Sequence, residues 1–177
     1  MARMVALLRA VNVGGRKLAM ADLRGLCAKM GLEDVSTYIQ SGNLLFSSSG
    51  KPASHEAALE QAIEQAFGMN VPVMVRAASV WSTLRRGNPF QDEARDHPSR
   101  LMLVVSKAPP AADSEEIIQK RATGEQVRRS GDALWIYYPE GAGRSKLTPA
   151  FIDRTIGSPA TARNYRTVVK IEELLAA

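Results

Sequence analysis

The pattern of apolar and polar positions predicts one order of elements, β-α-β-β-α-β, in the first half of the chain. The short apolar runs and the alternating segments are typical of strands, and apolar residues at a spacing of three and four are typical of helices. Gly31 and Gly68 follow the two helical patterns, where a C-terminal glycine is expected. The predicted strands are Val5–Leu8, Val35–Gln40, Asn43–Ser47 and Val71–Arg76, with helices from Met20 to Met30 and from an N-cap at Ser54 to Phe67.

The same order recurs in the second half, after a connecting helix at Val80–Arg86 and an irregular segment at Gly87–Ser99. Asp113 and Glu116 have the spacing of a capping box, and Thr148 followed by Pro149 is a typical helix start. The predicted strands are Leu101–Ser106, Gln126–Ser130, Ala133–Tyr138 and Ala160–Arg163, and a last helix is capped by Asn164.

This order is that of the split βαβ, or ferredoxin-like, unit. The sequence therefore predicts an α+β protein of two tandem ferredoxin-like units packed together. The first unit is residues 1–77, and the second is residues 78–177 with the connecting helix and the C-terminal helix. The prediction rests on element order, because no sequence identity between the halves supports a duplication.

Composition narrows the class of protein. The chain has 177 residues, 45% of them hydrophobic, which is ample for a core. No apolar run approaches the ~20 residues of a membrane-spanning helix. The single cysteine, Cys27, allows no internal disulfide and suits a reducing compartment. We therefore expect a cytoplasmic protein without membrane association.

The net charge of +5 is concentrated in two segments. Met1–Lys17 carries four cations and no acid, and Arg144–Lys170 carries six cations against one acid, which leaves a negative balance elsewhere. If the two segments lie together they create a local positive field. The alternative is that they are two solvated faces.

Arg9–Lys17 is the most informative segment for function, because it leaves a predicted strand and enters a helix. Its two glycines allow close approach of the backbone to a ligand, and helix N-termini with nearby cations favour anions. It matches neither the P-loop nor the dinucleotide-binding pattern. A tight turn with solvated cations explains it equally well. The candidate ligand residues here are Arg9, Asn12, Gly14, Gly15 and Lys17.

Two further segments add candidates. The hairpin tip contributes Gln40, Ser41 and Asn43, which can bind a ligand, although the chemistry of the turn alone explains them better. The last strand-to-helix joint contributes Arg163 and Asn164, where Asn164 is also explained as an N-cap. The glycine-rich loop Glu140–Lys146 fits an anion, although a loop without a ligand explains it better.

Residues for catalysis are sparse. Cys27 lies on the apolar face of its helix and is expected to be buried and unreactive. The two histidines, His55 and His97, have no metal-binding spacing, so neither a metal nor a cofactor is expected. Trp135 and Tyr137 share one strand face, and packing explains them better than base stacking.

The chain resembles the domain-of-unknown-function family numbered 1697, found mainly in bacteria. The resemblance runs nearly end to end and is carried by LLRAVNVGGRKLAMADLR (Leu7–Arg24), YIQSGNLLF (Tyr38–Phe46), NPF (Asn88–Phe90) and TARNYRTVVKI (Thr161–Ile171). Family members usually have Gly-Ile where this chain has Ala10-Val11, and Trp where it has Tyr165. The resemblance implies two ferredoxin-like units and no activity.

These observations favour binding of a phosphate-bearing small molecule or nucleic acid at a basic, glycine-containing site. The alternative is an enzyme acting on a phosphorylated or carboxylated small molecule, with Arg9 and Arg163 stabilising developing charge; the motifs supply no general base. A third hypothesis is a partner-binding module without a ligand. The ligand and the oligomeric state are left open by the sequence.

Overall fold

Each of the two units of the chain is built on a four-stranded antiparallel sheet. The structure is a computed structural model that describes all residues, Met1–Ala177. One unit comprises Met1–Trp81 and the C-terminal residues Ile171–Ala177, and the other comprises Ser82–Lys170. The observed boundary between the units therefore lies four residues after the predicted one at 77/78. The last seven residues belong to the first unit and not to the second.

In the first unit the strands lie in the order β2-β3-β1-β4. Strand β1 pairs with β3 and β4, and β2 pairs with β3, all antiparallel. The Arg3 guanidinium donates to the carbonyl of Leu174 at 3.3 Å, which ties the C-terminal residues to β1. The elements are β1 (Ala2–Leu8), α1 (Met20–Lys29), β2 (Glu33–Tyr38), β3 (Asn43–Ser48), α2 (Pro52–Phe67) and β4 (Val73–Ala77).

Both faces of strand β1 are buried from Met4 to Leu8. Met4, Ala6 and Leu8 pack on one face into a core with Leu23 of α1 and Leu59 of α2. The residues of β1 between them, Val5 and Leu7, are fully buried as well. Burial on both faces explains why β1 is a continuous apolar run in the sequence and shows no alternation.

The second unit repeats the arrangement, with strand order β6-β7-β5-β8. Helices α3 (Ala78–Arg86) and α7 (Tyr165–Ala176) each have residues in both units. A core of Val104, Ile118, Ile136, Ile152 and other apolar residues covers one face of the sheet. The elements are α4 (Gln91–Asp96), β5 (Leu101–Ser106), α5 (Ser114–Arg121), β6 (Gln126–Ser130), β7 (Ala133–Tyr137), α6 (Pro149–Ile156) and β8 (Ala160–Asn164), with 3₁₀ turns at Pro98–Arg100 and Ala142–Arg144.

Three local expectations were wrong. The segment 87–99 was expected to be irregular but contains α4, whose buried Ala94 gives it an apolar anchor. Helix α2 begins at Pro52, two residues before the expected N-cap Ser54, because proline fits the first helical position. Asp113 precedes α5 but makes no side-chain cap, since its φ of −94° and ψ of 4° are not the extended conformation of a capping residue.

The other expected helix ends are confirmed. The Thr148 hydroxyl accepts from the N–H of Phe151 at 3.2 Å, and the Asn164 side chain accepts from the N–H of Thr167 at 3.0 Å. Gly68 and Gly157 close their helices in the left-handed conformation. None of the helices is long and apolar enough to cross a membrane.

Candidate functional site

Asn12 joins the loop after β1 to the tip of the β2–β3 hairpin. Its side-chain amide donates to the carbonyls of Gln40 at 2.7 Å and Leu18 at 2.9 Å. Its side-chain oxygen accepts from the N–H of Leu18, also at 2.9 Å. Asn12 therefore holds the loop closed, and its side chain is engaged within the protein.

From Ala10 to Gly14 the loop backbone alternates between positive and negative φ, and Gly15 ends the alternation with a second positive value. Asn12, Gly14 and Gly15 have φ of 56°, 57° and 82°, while Val11 and Val13 keep ordinary negative values. Alternation of this kind turns successive main-chain N–H groups toward one side, which makes an anion-binding concavity. The N–H groups of Gly14, Gly15 and Lys17 donate no hydrogen bond within the protein, so they are available to a ligand.

These groups border an open depression of about 420 Å³. It meets the N-terminus of α1, where Ala19 provides no side-chain cap. The Lys17 side chain is exposed at its edge, and the Arg16 guanidinium is held by the carbonyl of Asn70 at 2.7 Å. The lining residues are Asn12, Val13, Gly14, Gly15, Arg16, Lys17, Ala19 and Gln40.

The hairpin tip beside the depression packs closely against the end of β1 and the loop that follows it. The N–H of Leu8 donates to the carbonyl of Gly42 at 2.8 Å, and a Cβ at Gly42 would lie 2.7 Å from Val11. Only glycine fits at this approach. Asn43 is buried and donates to the carbonyl of Tyr38 at 3.0 Å and to the Ser41 hydroxyl at 3.2 Å, so it stabilises the turn.

Ile39 and Val13 are exposed, large apolar side chains on this surface. Ile39 has a φ of 51°, which is a strained value for a β-branched residue. It is 48% exposed, and Val13 is 55% exposed. Sequence reasoning missed Val13, Ile39 and Ala19, because an apolar residue in a loop carries no signal for binding.

Arg163 and Asn164 lie in the second unit. Arg163 is only 7% exposed, and its guanidinium donates to the Thr161 hydroxyl at 2.8 Å and to the carbonyl of Ala162 at 2.9 Å. Burial lowers the pKa of Arg163 to about 10, so it keeps its charge at neutral pH. A site shared between these residues and the Arg9–Lys17 loop stays a prediction.

Other side chains that could take part in acid–base chemistry, base stacking or nucleophilic attack are engaged in the structure. Asp92 and Asp96 are exposed and pair with Arg95 at 3.2 and 2.9 Å. Trp135 is fully buried and donates to the carbonyl of Leu84 at 3.3 Å. A buried indole offers no platform for a base. Cys27 is buried, as expected, and burial raises its pKa to about 12.

The fold defines a mixed α+β protein with two four-stranded antiparallel sheets and seven helices. A solved structure described as that of conserved bacterial protein SP0830 from Streptococcus pneumoniae has this fold, with a TM-score of 0.76. The two chains are 24% identical, and the likeness covers 98% of each.

The chain belongs to the family described as Protein of unknown function (DUF1697), which matches residues 1–135. The family assignment made from the sequence motifs is therefore confirmed. The matched range contains the first three motifs, and Thr161–Ile171 lies beyond it. No curated protein matches the chain.

Proposed function

We propose that this protein binds a small phosphate-bearing anion in the depression of its first unit. The observation that carries the proposal is the loop Asn12–Lys17. Its φ values alternate in sign from Asn12 to Gly14, and the N–H groups of Gly14, Gly15 and Lys17 make no hydrogen bond within the protein, which supports an anion-binding concavity of donors. Lys17 adds a positive charge at the edge, and the uncapped N-terminus of α1 adds a partial one.

The shape of the site favours a small molecule over nucleic acid. Its volume of about 420 Å³ falls within the ~300–1,000 Å³ typical of small-molecule pockets. Single-strand binding modules combine a basic groove with aromatic side chains on which bases stack. No aromatic residue lines this depression. Binding of nucleic acid is therefore the alternative that the experiment below tests.

The enzyme hypothesis gains no support from this site. A hydrolase or transferase of phosphorylated substrates needs a group that accepts a proton. The lining residues include no carboxylate and no imidazole. Binding without chemistry is the simpler proposal, and Arg9, Gln40 and Ser41 remain its candidate contacts beside the loop.

We also infer that each unit is ferredoxin-like. The inference is supported by element order β-α-β-β-α-β in both units and by strand orders in which the first and third strands are central. Cytoplasmic location stays a prediction, supported by the single buried thiol of Cys27.

Titration with inorganic phosphate and pyrophosphate tests the proposal. We expect saturable shifts of the Gly14 and Gly15 amide signals in ¹H–¹⁵N NMR spectra. A ligand at ~100 times its Kd should stabilise the protein by about 2.7 kcal/mol, which thermal unfolding measures. Lys17→Ala should weaken binding, whereas Lys29→Ala, at the other end of α1, should leave it unchanged.

Fluorescence anisotropy with a labelled oligonucleotide separates the two ligand classes. Nucleic-acid binding should weaken with salt by a slope of about −0.7 per phosphate contact on single strands. Binding of phosphate without binding of the oligonucleotide supports the proposal. If the oligonucleotide binds with the salt dependence of several phosphate contacts, the ligand is nucleic acid and the small-molecule proposal is wrong. If no anion shifts the amide signals of the loop, the protein binds no anion there.

A further inference from the structure

A second cavity, of about 160 Å³, lies in the second unit and is independent of the depression described above. It forms where the segment before β6 meets the end of β7 and the 3₁₀ turn at Ala142–Arg144. It is smaller than the ~300 Å³ of typical ligand pockets, so it suits a compact ligand. Its lining residues are Thr123, Gly124, Glu125, Tyr138, Pro139, Glu140, Gly141, Arg144 and Ser145.

Glu125 places a buried carboxylate in this cavity. The residue is 7% exposed, and it accepts from the Ser145 hydroxyl at 2.5 Å and from the N–H of Thr123 at 2.7 Å. Each carboxylate oxygen keeps a further lone pair. Glu125 forms no ion pair, and a buried charge without a counter-ion is costly.

The carboxylate is ionised at neutral pH. Burial works to raise the pKa of Glu125, but the hydrogen bonds from Ser145 and from main-chain N–H groups outweigh it and lower the pKa below its ordinary value. The cavity therefore presents a full negative charge at its wall, which a cation would neutralise.

Tyr138 supplies the second observation. Its ring packs in the core and the residue is only 4% exposed. Its hydroxyl makes no hydrogen bond within the protein, yet it is not sealed from solvent. Tyr138 is one of the residues that line the cavity. Burial and, next, the negative charge of Glu125 raise the pKa of Tyr138, so the hydroxyl lies near that carboxylate. A buried tyrosine hydroxyl usually has a partner, and this one can bind a ligand group that enters the cavity.

We propose that this cavity binds a small zwitterionic amine of the α-amino acid type, held by Glu125, Tyr138 and Arg144. The ammonium group donates to the Glu125 carboxylate and to the oxygen of Tyr138. The exposed Arg144 guanidinium, which makes no hydrogen bond within the protein, pairs with the ligand carboxylate at the mouth. One buried carboxylate provides fewer oxygen ligands than a divalent cation needs, so an ammonium fits better.

Titration with glycine, methylammonium and acetate tests this assignment through the amide signals of Gly124 and Gly141. Glycine and methylammonium should give saturable shifts, and acetate should give none. Arg144→Ala should weaken glycine binding and leave methylammonium binding unchanged. Arg154→Ala, the same change on the exposed side of α6, should affect neither probe.

Two variants probe the wall of the cavity. Glu125→Gln should raise the Kd of both amines by about 10-fold or more, since hydrogen bonds to charged groups contribute ~1.5–3 kcal/mol. Tyr138→Phe keeps the ring and should raise the Kd by about 10-fold or more, because the hydrogen bond that it removes has a charged ammonium as its donor. If Glu125→Gln fails to fold, Tyr138→Phe decides the question. The proposal is overturned if neither amine gives saturable shifts, or if Tyr138→Phe binds both as the parent does.

Discussion

The Glu56 carboxylate of α2 accepts a hydrogen bond from the main-chain N–H of Val75 on β4 at 2.9 Å. One helical turn later, the Glu60 carboxylate accepts from the N–H of Val73 at 2.9 Å. Strand β4 is an edge of its sheet, and its outward N–H groups would otherwise be unpaired. Edge strands with unpaired N–H groups can pair with other chains, so these glutamates close that edge.

The second unit uses the same device with other residues. Strand β6 is an edge of its sheet. Gln119 of α5 accepts from the N–H of Val127 at 2.8 Å, and Glu115 accepts from the N–H of Arg129 at 2.7 Å. In both units, two side chains four residues apart on a helix match two N–H groups two residues apart on a strand.

Glu56→Ala should destabilise the protein by about 1–3 kcal/mol, because it leaves the buried N–H of Val75 without its acceptor. Urea denaturation followed by circular dichroism measures the change. Glu64→Ala, at an exposed position of the same helix, should stay within about 0.5 kcal/mol of the parent. Equal effects of the two substitutions would contradict the edge-closing role.

The double variant Glu115→Ala with Gln119→Ala should increase self-association, because it exposes the N–H groups of β6 to other chains. Size-exclusion chromatography with light scattering over a range of concentrations measures this. Glu116→Ala removes an exposed ion pair with Lys120 and leaves β6 covered. An unchanged mass for the double variant would show that the edge needs no protection.

Gly42→Ala should destabilise the protein by about 1–3 kcal/mol or more. The new Cβ would lie 2.7 Å from Val11 and 2.8 Å from Leu8, and the φ of 86° is unfavourable for alanine. Gly25→Ala, inside α1 with open space around it, should instead stabilise by about 0.5–1 kcal/mol through helix propensity. Thermal and urea unfolding compare the two, and a tolerated Gly42→Ala would show that the hairpin tip rearranges.

Cys27 should react with thiol reagents only when the protein unfolds. The thiol is fully buried, and burial raises its pKa to about 12, so almost no thiolate exists at neutral pH. Labelling with a chromogenic disulfide reagent should be slow in buffer and fast in concentrated urea. Fast labelling of the native protein would mean that α1 opens readily.

His55 should make stability depend on pH. Burial lowers the pKa of His55 below its ordinary value of 6.5, and its Nε2 atom is buried without a hydrogen-bond partner. As the pH falls through 6.5, the unfolded chain takes up a proton that the folded imidazole resists, so stability is lost. The contribution is fully present above that pH.

Unfolding free energies from pH 8 to pH 5 test this dependence in the parent and in His55→Phe, which preserves a ring against Phe46. The variant should lose less stability on acidification. His97→Phe, at an exposed position, provides the matched comparison and should follow the parent. Parallel curves for the parent and His55→Phe would remove His55 as the cause.

The sequence by itself determined the order and most bounds of the elements, the burial of Cys27 and the caps at Thr148 and Asn164. Each of these features depends on contacts within about four residues or on the period of apolar positions, so a short stretch of sequence is enough to predict it. The sequence did not predict helix α4 within the segment 87–99. This helix has a single buried residue, Ala94, so its sequence has no apolar period.

Only the tertiary structure decided what the polar candidates do. Asn12 meets Gln40, and Glu56 meets Val75, across 28 and 19 residues of sequence. Glu125 and Ser145 come together across 20 residues. A side chain's hydrogen-bond partner over such a separation is set by how helices pack on sheets, which no local pattern records. For the same reason the sequence did not predict the burial of Arg163, which is a cation in a polar segment.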